Sequence, residues 1–455
     1  MNSRWTVLRR FAISCLMAGI ALSAGARTRP HYGGTLHVEI EGDPWQRPDG
    51  LPRRLVFDGL TTLDAHGVVR PALAIEWESE NGGHRWQFRL RPGVHFHDGT
   101  PMTSVNVVAS LTASCTADCP WTAVRAAGSS VVFTGDSPMP NLPAFLAGGD
   151  FLISLTVTAD GKTPSGAVGT GPFQLTGFNS GVLTLAANEN CWQGRPFADA
   201  VEIRVHRPVR DQWLDLGVGR ADVVEVPAEQ IRPAQQQRLT VIVSPPVTLL
   251  ALQVSDTGAL ANPALRAAIS LAVDRSALFN VIYQKQGQVT ASLLPQSLTG
   301  YSFLFPTDRD LSKAHELRGG LTAPSLALSV EGNGAMQLAA QRIALNLHEA
   351  GFNVQVAGAN NTQHANLVLR KLDLEGGEPG AALEVLLRAA GQTVPAIAQN
   401  SDDLFKAERE ILDRHTLVPL LDLPRAYAIG ARVRDVQLHL DGSPDLATAS
   451  LEDAP

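Results

Sequence analysis

The sequence predicts an α/β protein of mixed α+β type that is divided into several lobes. Its 455 residues are too many for one simple hydrophobic core, which favours two or three lobes. Short segments with the period-two alternation of strands occur along the whole chain, between longer segments with helical periodicity. This mixed order of strands and helices indicates sheets that are covered by helices.

The predicted strands are short segments in which apolar residues alternate with polar ones. In the segment RWQFRL, for example, Trp86, Phe88 and Leu90 would share one buried face. Segments of this kind, or short apolar segments bounded by turn residues, are 35–40, 55–63, 85–90, 131–133, 173–178, 182–186, 200–206, 221–226, 248–254, 352–356 and 367–372.

The predicted helices combine apolar residues at helical spacing with recognisable start signals. Thr103 or Ser104 is a suitable N-cap, and Pro263 suits the first turn of a helix. One predicted helix begins after Thr103 or Ser104 and runs through Leu111. The other predicted helices span 141–146, 211–219, 263–272, 335–350, 383–389 and 402–414.

Composition and charge limit the class of function. Hydrophobic residues make up 44% and charged residues 18% of the chain, which is a globular rather than a disordered balance. The net charge of -7 argues against a nucleic-acid binder, since such a protein usually carries a basic face.

The N-terminus has the pattern of a secretory signal peptide. Three arginines within the first ten residues precede an apolar segment at 11–24, and Ala24-Gly25-Ala26 fits a small-residue cleavage site. The apolar segment is short for a membrane span, which needs roughly 20 residues. We therefore expect a signal peptide at 1–26, a periplasmic location and no stable membrane insertion.

Cys115 and Cys119 lie four residues apart. One helical turn would bring their Cα atoms to about 6 Å, within reach of a disulfide, and an exported protein meets an oxidising compartment. The alternative is a metal site, but two thiols without an adjacent histidine are a poor zinc set. We expect a local disulfide, with Cys191 as an unpaired, buried residue.

Six sequence blocks occur in register: YGGTL at 32–36, FDGL at 57–60 with PALA at 71–74, RLRPGV at 89–94 with FHDGTP at 96–101, GTGPF at 169–173, NEN at 188–190 with Trp192, and the helix from Pro263 to Arg275. In this order they resemble the bacterial extracellular solute-binding proteins of family 5, the peptide- and nickel-binding subunits of ABC importers. The resemblance runs from about Tyr32 almost to the C-terminus.

The resemblance implies a periplasmic-binding-protein-like fold with two main lobes, a hinge cleft and a smaller inserted lobe. The first lobe would comprise residues 27–57, 168–247 and 425–455, the inserted second lobe 58–167 and the third 248–424. A solute would bind between the first and third lobes, and hinge closure would bury it. The implied partners of this monomeric, non-catalytic protein are an ABC permease and its ATPase, and no cofactor is implied.

Peptide is the usual ligand implied by the resemblance, and a nickel chelate or another small molecule is the alternative. Residues 365–382 (ANLVLRKLDLEGGEPGAA) depart from the peptide binders of the family, because they contain neither the tryptophan nor the Tyr-Pro-Asp-Pro-like segment. A sensory ligand-binding module is a further alternative. A secreted hydrolase is disfavoured, since the sequence contains no Gly-x-Ser-x-Gly elbow and no complete phosphate-binding loop.

The residues predicted to contact the solute are Trp45, Gln253, Tyr301, Phe303, Arg370 and Asp373. Trp45 and Gln253 correspond to positions that line the cleft in relatives, and Arg370 could hold a carboxylate with two parallel hydrogen bonds. A structural role is the alternative for each of them: a polar group at a strand end, a solvated charge or, for the aromatic residues, packing against the core.

His95 and His97 would share one face of a strand, which raises the possibility of a metal site. The sequence HDGTP that begins at His97 is part of the family pattern, where it forms a strand-to-helix turn. We therefore predict no metal here.

Overall fold

The computed structural model contains one large mixed sheet and one smaller antiparallel sheet. Among the residues that it describes, no helix is long and apolar enough to cross a membrane. The described residues are 31–42, 50–64, 67–115, 119–155, 167–300, 305–321, 325–332, 334–357, 365–374, 379–394 and 401–452.

The strands of the described residues are β1 Thr35–Glu39, β2 Thr61–Leu63, β3 Val69–Pro71, β4 Ala74–Glu80, β5 Arg85–Leu90, β6 Ala123–Ala127, β7 Ser130–Thr134, β8 Phe173–Asn179, β9 Val182–Ala187, β10 Ala200–Arg204, β11 Val223–Glu225, β12 Thr240–Val254, β13 Gln288–Val289, β14 Ser325–Val330, β15 Asn353–Val356, β16 Leu367–Asp373, β17 Leu417–Ile429, β18 Val433–Arg434, β19 Gln437–Leu438, β20 Pro444–Asp445 and β21 Ser450–Leu451.

The α-helices of the same residues are α1 Leu51–Val56, α2 Ser104–Ser114, α3 Leu142–Phe145, α4 Val209–Gly217, α5 Ile231–Gln236, α6 Pro263–Ala272, α7 Arg275–Ala277, α8 Gln296–Thr299, α9 Leu311–Arg318, α10 Ala335–Glu349, α11 Pro379–Ala389 and α12 Ser401–Asp413. Short 3-10 turns and a π-helical turn at Leu278–Ile282 complete the elements.

The large sheet has the strand order β15-β14-β16-β12-β17-β11-β1-β10-β9-β8, with β13 paired to β17. Its two central strands, β12 and β17, are the longest of the described chain, with 15 and 13 residues. We call them the shared strands. Strands β11, β1, β10, β9 and β8 form a first section on one side of them, and β16, β14 and β15 form a second section on the other.

The ladder between the shared strands is irregular where the two sections meet. Its register shifts twice between Val243 and Thr248, on either side of Pro246. Proline has no backbone N–H to donate, so the ladder is interrupted at this point and the strands can bend. Strand β11 pairs with β17 on one side of the irregularity, and β16 pairs with β12 on the other.

Alternate residues of β12 face opposite sides of the sheet, as the period of a strand requires. Leu250 and Leu252 are fully buried in a core that includes α6 and α10. Leu249 and Ala251 are fully buried in a second core, with α11 and α12. Both faces of the second section are therefore covered by helices.

The first section and the smaller sheet have separate cores. One core joins β1, β9 and β10 to α1 and to C-terminal residues such as Leu446. The other lies within the sheet β4-β5-β7-β6 and its helices α2 and α3. There the Phe133 ring makes edge-to-face contacts with Phe88 and Trp121, with centroid distances of 5.4 and 5.1 Å.

Many of the predicted elements form where the sequence places them. Segments 85–90 and 263–272 coincide with β5 and α6. The N-cap at Thr103 is confirmed: its hydroxyl accepts a hydrogen bond from the Asn106 N–H, and the Asn106 side chain accepts one from the Thr103 N–H. This reciprocal capping explains why α2 begins at Ser104.

The strand-like prediction at 55–63 is wrong at its start. Leu55 and Val56 end helix α1, which has Pro52 in its first turn. Leu51 and Leu55 lie one helical turn apart and are both buried, so this short helix packs one apolar side against the first section. Only β2 remains as a strand in this segment.

A disulfide joins Cys115 and Cys119, whose Cα atoms are 6.0 Å apart. It lies directly after α2 and closes the end of that helix. Cys191 is unbonded and buried.

His97 holds the turn at 169–171. Its Nε2 donates to the Gly171 carbonyl at 3.0 Å, and its Nδ1 accepts from the Gly169 N–H at 3.3 Å, which together require the neutral imidazole. Burial lowers the pKa of His97, although the Gly171 carbonyl and Asp98 oppose this shift. The neutral ring therefore links the smaller sheet to the first section.

Asp58 holds the same turn from the other side. Its carboxylate accepts hydrogen bonds of 2.8 Å from the Thr170 hydroxyl and from the Trp192 indole N–H. Burial raises the pKa of Asp58, and these two donors oppose the shift. Residues from three of the family-like sequence blocks thus meet at one point.

Replacing Gly169 by alanine tests this arrangement. A Cβ atom at Gly169 would lie 1.9 Å from the Val56 carbonyl oxygen, a backbone atom that cannot move away independently. We expect Gly169→Ala to lower the free energy of unfolding by about 3 kcal/mol, measured by urea denaturation. Gly177→Ala is the matched control, because nothing lies within 4 Å of its Cβ position. Equal losses of unfolding free energy in the two variants would contradict the close approach of Gly169 to the Val56 carbonyl.

Candidate functional site

Helix α11 connects the second section of the large sheet to the smaller sheet. Val385 of α11 packs against the core of the smaller sheet, which is inserted in the first section. One turn later, the Arg388 guanidinium lies over the Phe145 ring, 6.0 Å from its centroid. Helix α11 therefore packs on the shared strands with one side and contacts the smaller sheet with another.

A small cavity of about 30 Å³ lies where three parts of the chain converge. Its wall includes Arg54, Leu63 and Ala147 from the first side, Leu374 from the end of β16, and His439 and Asp441 from the C-terminal segment.

Arg54 and Asp441 form a buried ion pair at this cavity. The Arg54 Nε atom lies 2.6 Å from Asp441 Oδ2, and Ser443 donates to Asp441 Oδ1 from its N–H at 2.8 Å and its hydroxyl at 2.5 Å. Burial acts to raise the pKa of Asp441, but the Arg54 charge, His439 and the Ser443 donors outweigh it and hold the pKa at about 2. The pair attaches the C-terminal segment to α1.

The pKa of Asp441 predicts how this pair responds to acid. Because the folded-state pKa lies below the ordinary value of 3.8, the pair stabilises the protein above that value and is lost as pH falls toward 2. We expect Asp441→Asn to lower the free energy of unfolding by about 2 kcal/mol at pH 7. In denaturant titrations the difference from wild type should shrink between pH 4 and pH 2.

The exposed pair between Arg409 and Asp413 provides the control for this measurement. Its side chains are 63% and 72% exposed. Asp413→Asn should therefore change stability by less than about 0.5 kcal/mol. If Asp441→Asn lowers the free energy of unfolding by no more than this amount, the buried pair makes no measurable contribution to stability.

Asp373, a predicted solute contact, lies at the junction of the shared strands. Its Oδ1 accepts from the Thr248 hydroxyl at 3.0 Å and lies 2.8 Å from Arg425 Nη2. Arg425 also donates to the Asp441 carbonyl at 3.0 Å. Asp373 therefore ties β16 to both shared strands at the point where their register shifts.

Gln253 and Arg370, two further predicted contacts, hold the C-terminal end of α11. The Gln253 amide donates to the Ala390 carbonyl at 3.1 Å, and Arg370 Nη1 donates to the Ala389 carbonyl at 3.3 Å. Arg370 also forms an ion pair with Glu331. These donors satisfy carbonyls that the helix leaves unpaired, so they fix the end of α11 against β12 and β16.

The remaining predicted contacts, Trp45, Tyr301 and Phe303, lie outside the described residues. The structure therefore locates three of the six predicted residues, and all three are engaged in contacts that connect elements of the second section.

A charged group that the sequence analysis missed lies beside the shared strands. Glu41 follows β1, and its N–H donates to the Glu225 carboxylate at the end of β11, at 2.8 Å. Burial is the largest cause that raises the pKa of Glu41. The charges of Glu225 and Glu229 raise it further, while Lys371 of the second section opposes the shift. We call these three glutamates the acidic group.

The position of the acidic group could have been expected from one signal. Strands β1 and β11 are parallel neighbours, so residues that follow them meet at the same edge of the sheet. Polar groups at the carboxyl ends of parallel strands commonly bind ligands. The sequence analysis did not pair the two strands and so did not bring Glu41 and Glu225 together.

Two sheet sections that share two long strands are the architecture expected of a solute-binding protein that closes about a hinge. Residues 68–384 match the family described as bacterial extracellular solute-binding proteins, family 5 Middle. The chain belongs to this family.

Relatives with known names show how far the likeness extends. The chain is 31% identical over 249 residues to the uncharacterized protein YhjP of Bacillus subtilis, covering 52% of this chain but only 40% of that relative. It is 23% identical over 409 residues to a probable di/tripeptide-binding protein of Pseudomonas aeruginosa, covering 77% of this chain and 76% of the relative.

Solved structures show the same fold. The oligopeptide-binding protein AppA of Bacillus subtilis, solved with a nonapeptide, superposes with a TM-score of 0.78 at 17% identity, covering 93% of this chain and all of that one. NikA of Staphylococcus aureus, solved with Ni(L-His)2, also has a TM-score of 0.78 at 16% identity, covering 92% of this chain and all of that one.

Proposed function

We propose that this chain is an extracytoplasmic solute-binding protein that captures a ligand, with peptide as the first candidate, and delivers it to an ABC importer. The observation that carries the proposal is the large sheet, whose two sections are continuous through the shared strands, and we propose that the solute cleft lies between these two sections. The interruption of their ladder around Pro246 supports a hinge at this point.

The proposed lobes follow from the same features. Residues 27–57, 168–247 and 425–455 would form the first lobe, 58–167 the second and 248–424 the third. The boundary at 247/248 lies beside the register shift between Pro246 and Thr248. We further propose a periplasmic monomer whose N-terminal 26 residues are removed on export.

The charges at the cleft favour a ligand with a cationic group. The acidic group brings three carboxylates together against one nearby lysine, and the charges of Glu225 and Glu229 add to the effect of burial in raising the pKa of Glu41. A peptide amino terminus would relieve this repulsion. The named relatives include a probable di/tripeptide-binding protein, which supports peptide as the first candidate.

A nickel chelate is the second candidate, because NikA shares the fold. In the described part of the chain, no three His, Cys, Asp or Glu side chains are grouped so that they could hold a metal ion.

Thermal unfolding of the mature protein with a panel of ligands tests the proposal. The panel contains di- to pentapeptides, a tripeptide with a free or an acetylated amino terminus, nickel with histidine, and simple sugars. A ligand at a hundredfold excess over its Kd raises apparent stability by about 2.7 kcal/mol. We expect peptides with a free amino terminus to raise the Tm and the acetylated tripeptide to raise it less.

The other outcomes separate the alternatives. A shift with nickel and histidine alone would replace peptide by a chelate. Equal shifts with the free and acetylated tripeptides would leave peptide capture intact but exclude an amino-terminal contact with the acidic group. The variant Glu225→Gln should reduce the difference in Tm shift between the free and the acetylated tripeptide. The matched control Glu410→Gln, on the exposed side of α12, should leave this difference unchanged.

A further inference from the structure

Two buried carboxyl groups, Glu408 of α12 and Asp422 of β17, meet a loop of the second section. Glu408 is 0% and Asp422 2% exposed. Glu408 Oε1 accepts hydrogen bonds from the Ser292 hydroxyl at 2.8 Å, from the Leu294 N–H at 3.0 Å and from the Leu293 N–H. Glu408 thus holds three consecutive residues of the loop that follows β13.

Asp422 holds the beginning of the same loop against a shared strand. It pairs in register with Gln288 of β13, and the nearby Thr290 hydroxyl, which donates to the Ser292 carbonyl at 3.2 Å, acts to lower the pKa of Asp422. Gly287 approaches so closely that a Cβ atom there would lie 2.2 Å from the Asp422 carbonyl oxygen. We call residues 287–294 the β13 loop.

Each of the two carboxyl groups retains one buried oxygen that has no hydrogen-bond partner among the described residues, Glu408 Oε2 and Asp422 Oδ1. Burial raises the pKa of each group to about 7, and the charge of Glu408 adds to the shift of Asp422. An ionised pair would therefore place two like charges in an apolar environment, which is strongly unfavourable.

Cationic side chains on the elements that pack here are bonded to other groups. On α7, the Arg275 Nε atom donates to the Pro419 carbonyl of β17. On α12, Lys406 and Arg409 pair with acidic residues of their own helix, and on β17 Arg425 pairs with Asp373. Among the described residues, no ion pair is formed with Glu408 or Asp422, so a proton can neutralise one of the two carboxylates.

We propose that the pair keeps one proton at neutral pH, held on Asp422, and that its loss loosens the β13 loop from the shared strand. The assignment to Asp422 follows from the donors. Three donors stabilise the ionised form of Glu408, whereas the hydroxyl nearest to Asp422, that of Thr290, donates to the Ser292 carbonyl. The stability of the contact between β17 and the β13 loop thus depends on pH.

The sign of the linkage follows from the raised pKa. Between the ordinary value of 3.8 and the folded value, the native state binds a proton that the unfolded state has lost. The contribution of Asp422 to the free energy of unfolding is therefore complete below this pH window and is lost as pH rises through it. Asp422→Asn imitates the protonated group and should remove this part of the pH dependence.

Urea denaturation of the full-length mature protein between pH 5 and pH 8 tests the proposal. The ratio of the wild-type unfolding constant to that of Asp422→Asn should rise about tenfold per pH unit between pH 5 and pH 7 and then become constant. The corresponding ratio for Glu410→Gln, an exposed residue paired with Arg414, should not change with pH. A constant ratio for Asp422→Asn would overturn the proposal.

Two further measurements keep the test decisive. If Asp422→Asn does not fold, hydrogen exchange at the Leu293 and Leu294 amides of the wild type replaces it. Their protection, corrected for intrinsic exchange, should fall at least tenfold between pH 6 and pH 8, and constant protection would contradict the proposal. Stabilisation of the wild type by millimolar calcium at pH 8, absent in Asp422→Asn, would assign the pair to a cation instead of a proton.

Discussion

The continuous antiparallel ladder between β12 and β17 is the constraint on which the rest of the structure depends. These two strands supply the centre of the large sheet, and each section of the sheet pairs with a different part of them. The register of this ladder shifts twice around Pro246, between the two sections, and once more between Leu250 and Ala251. A sheet that is continuous in this way keeps the two sections in register while concentrating bending at one place.

Charged side chains reinforce the junction that the strands create. Asp373 and Arg425 connect β16 to the shared strands, Arg425 reaches the carbonyl of Asp441, and Asp441 pairs with Arg54 of α1. A buried ion pair offsets its desolvation only when the geometry and additional hydrogen bonds are good. Asp441 has both, because Ser443 supplies two donors. These ion pairs therefore determine which segments contact each other, and this role is separate from any net stability that they add.

Helix α11 illustrates why site residues are difficult to assign from local sequence. Gln253 and Arg370 have the polarity expected of solute contacts, and both lie on strands that border the cleft. Their hydrogen bonds go instead to the end of α11, to carbonyls that are 137 and 19 residues away along the chain. A polar residue at a strand end can bind a ligand or cap a helix, and only the position of the helix separates the two roles.

The sequence by itself determined the class of fold, the family and many of the elements, because these depend on periodicity, caps and turn residues that are local. The capping box at Thr103 and the segments that became β5 and α6 are examples. The pairing of Glu41 with Glu225, the burial of Glu408 beside Asp422 and the roles of Gln253, Arg370 and Asp373 were decided by tertiary structure alone. Each depends on contacts between segments that are distant in the chain, and local patterns carry no information about which distant groups will meet.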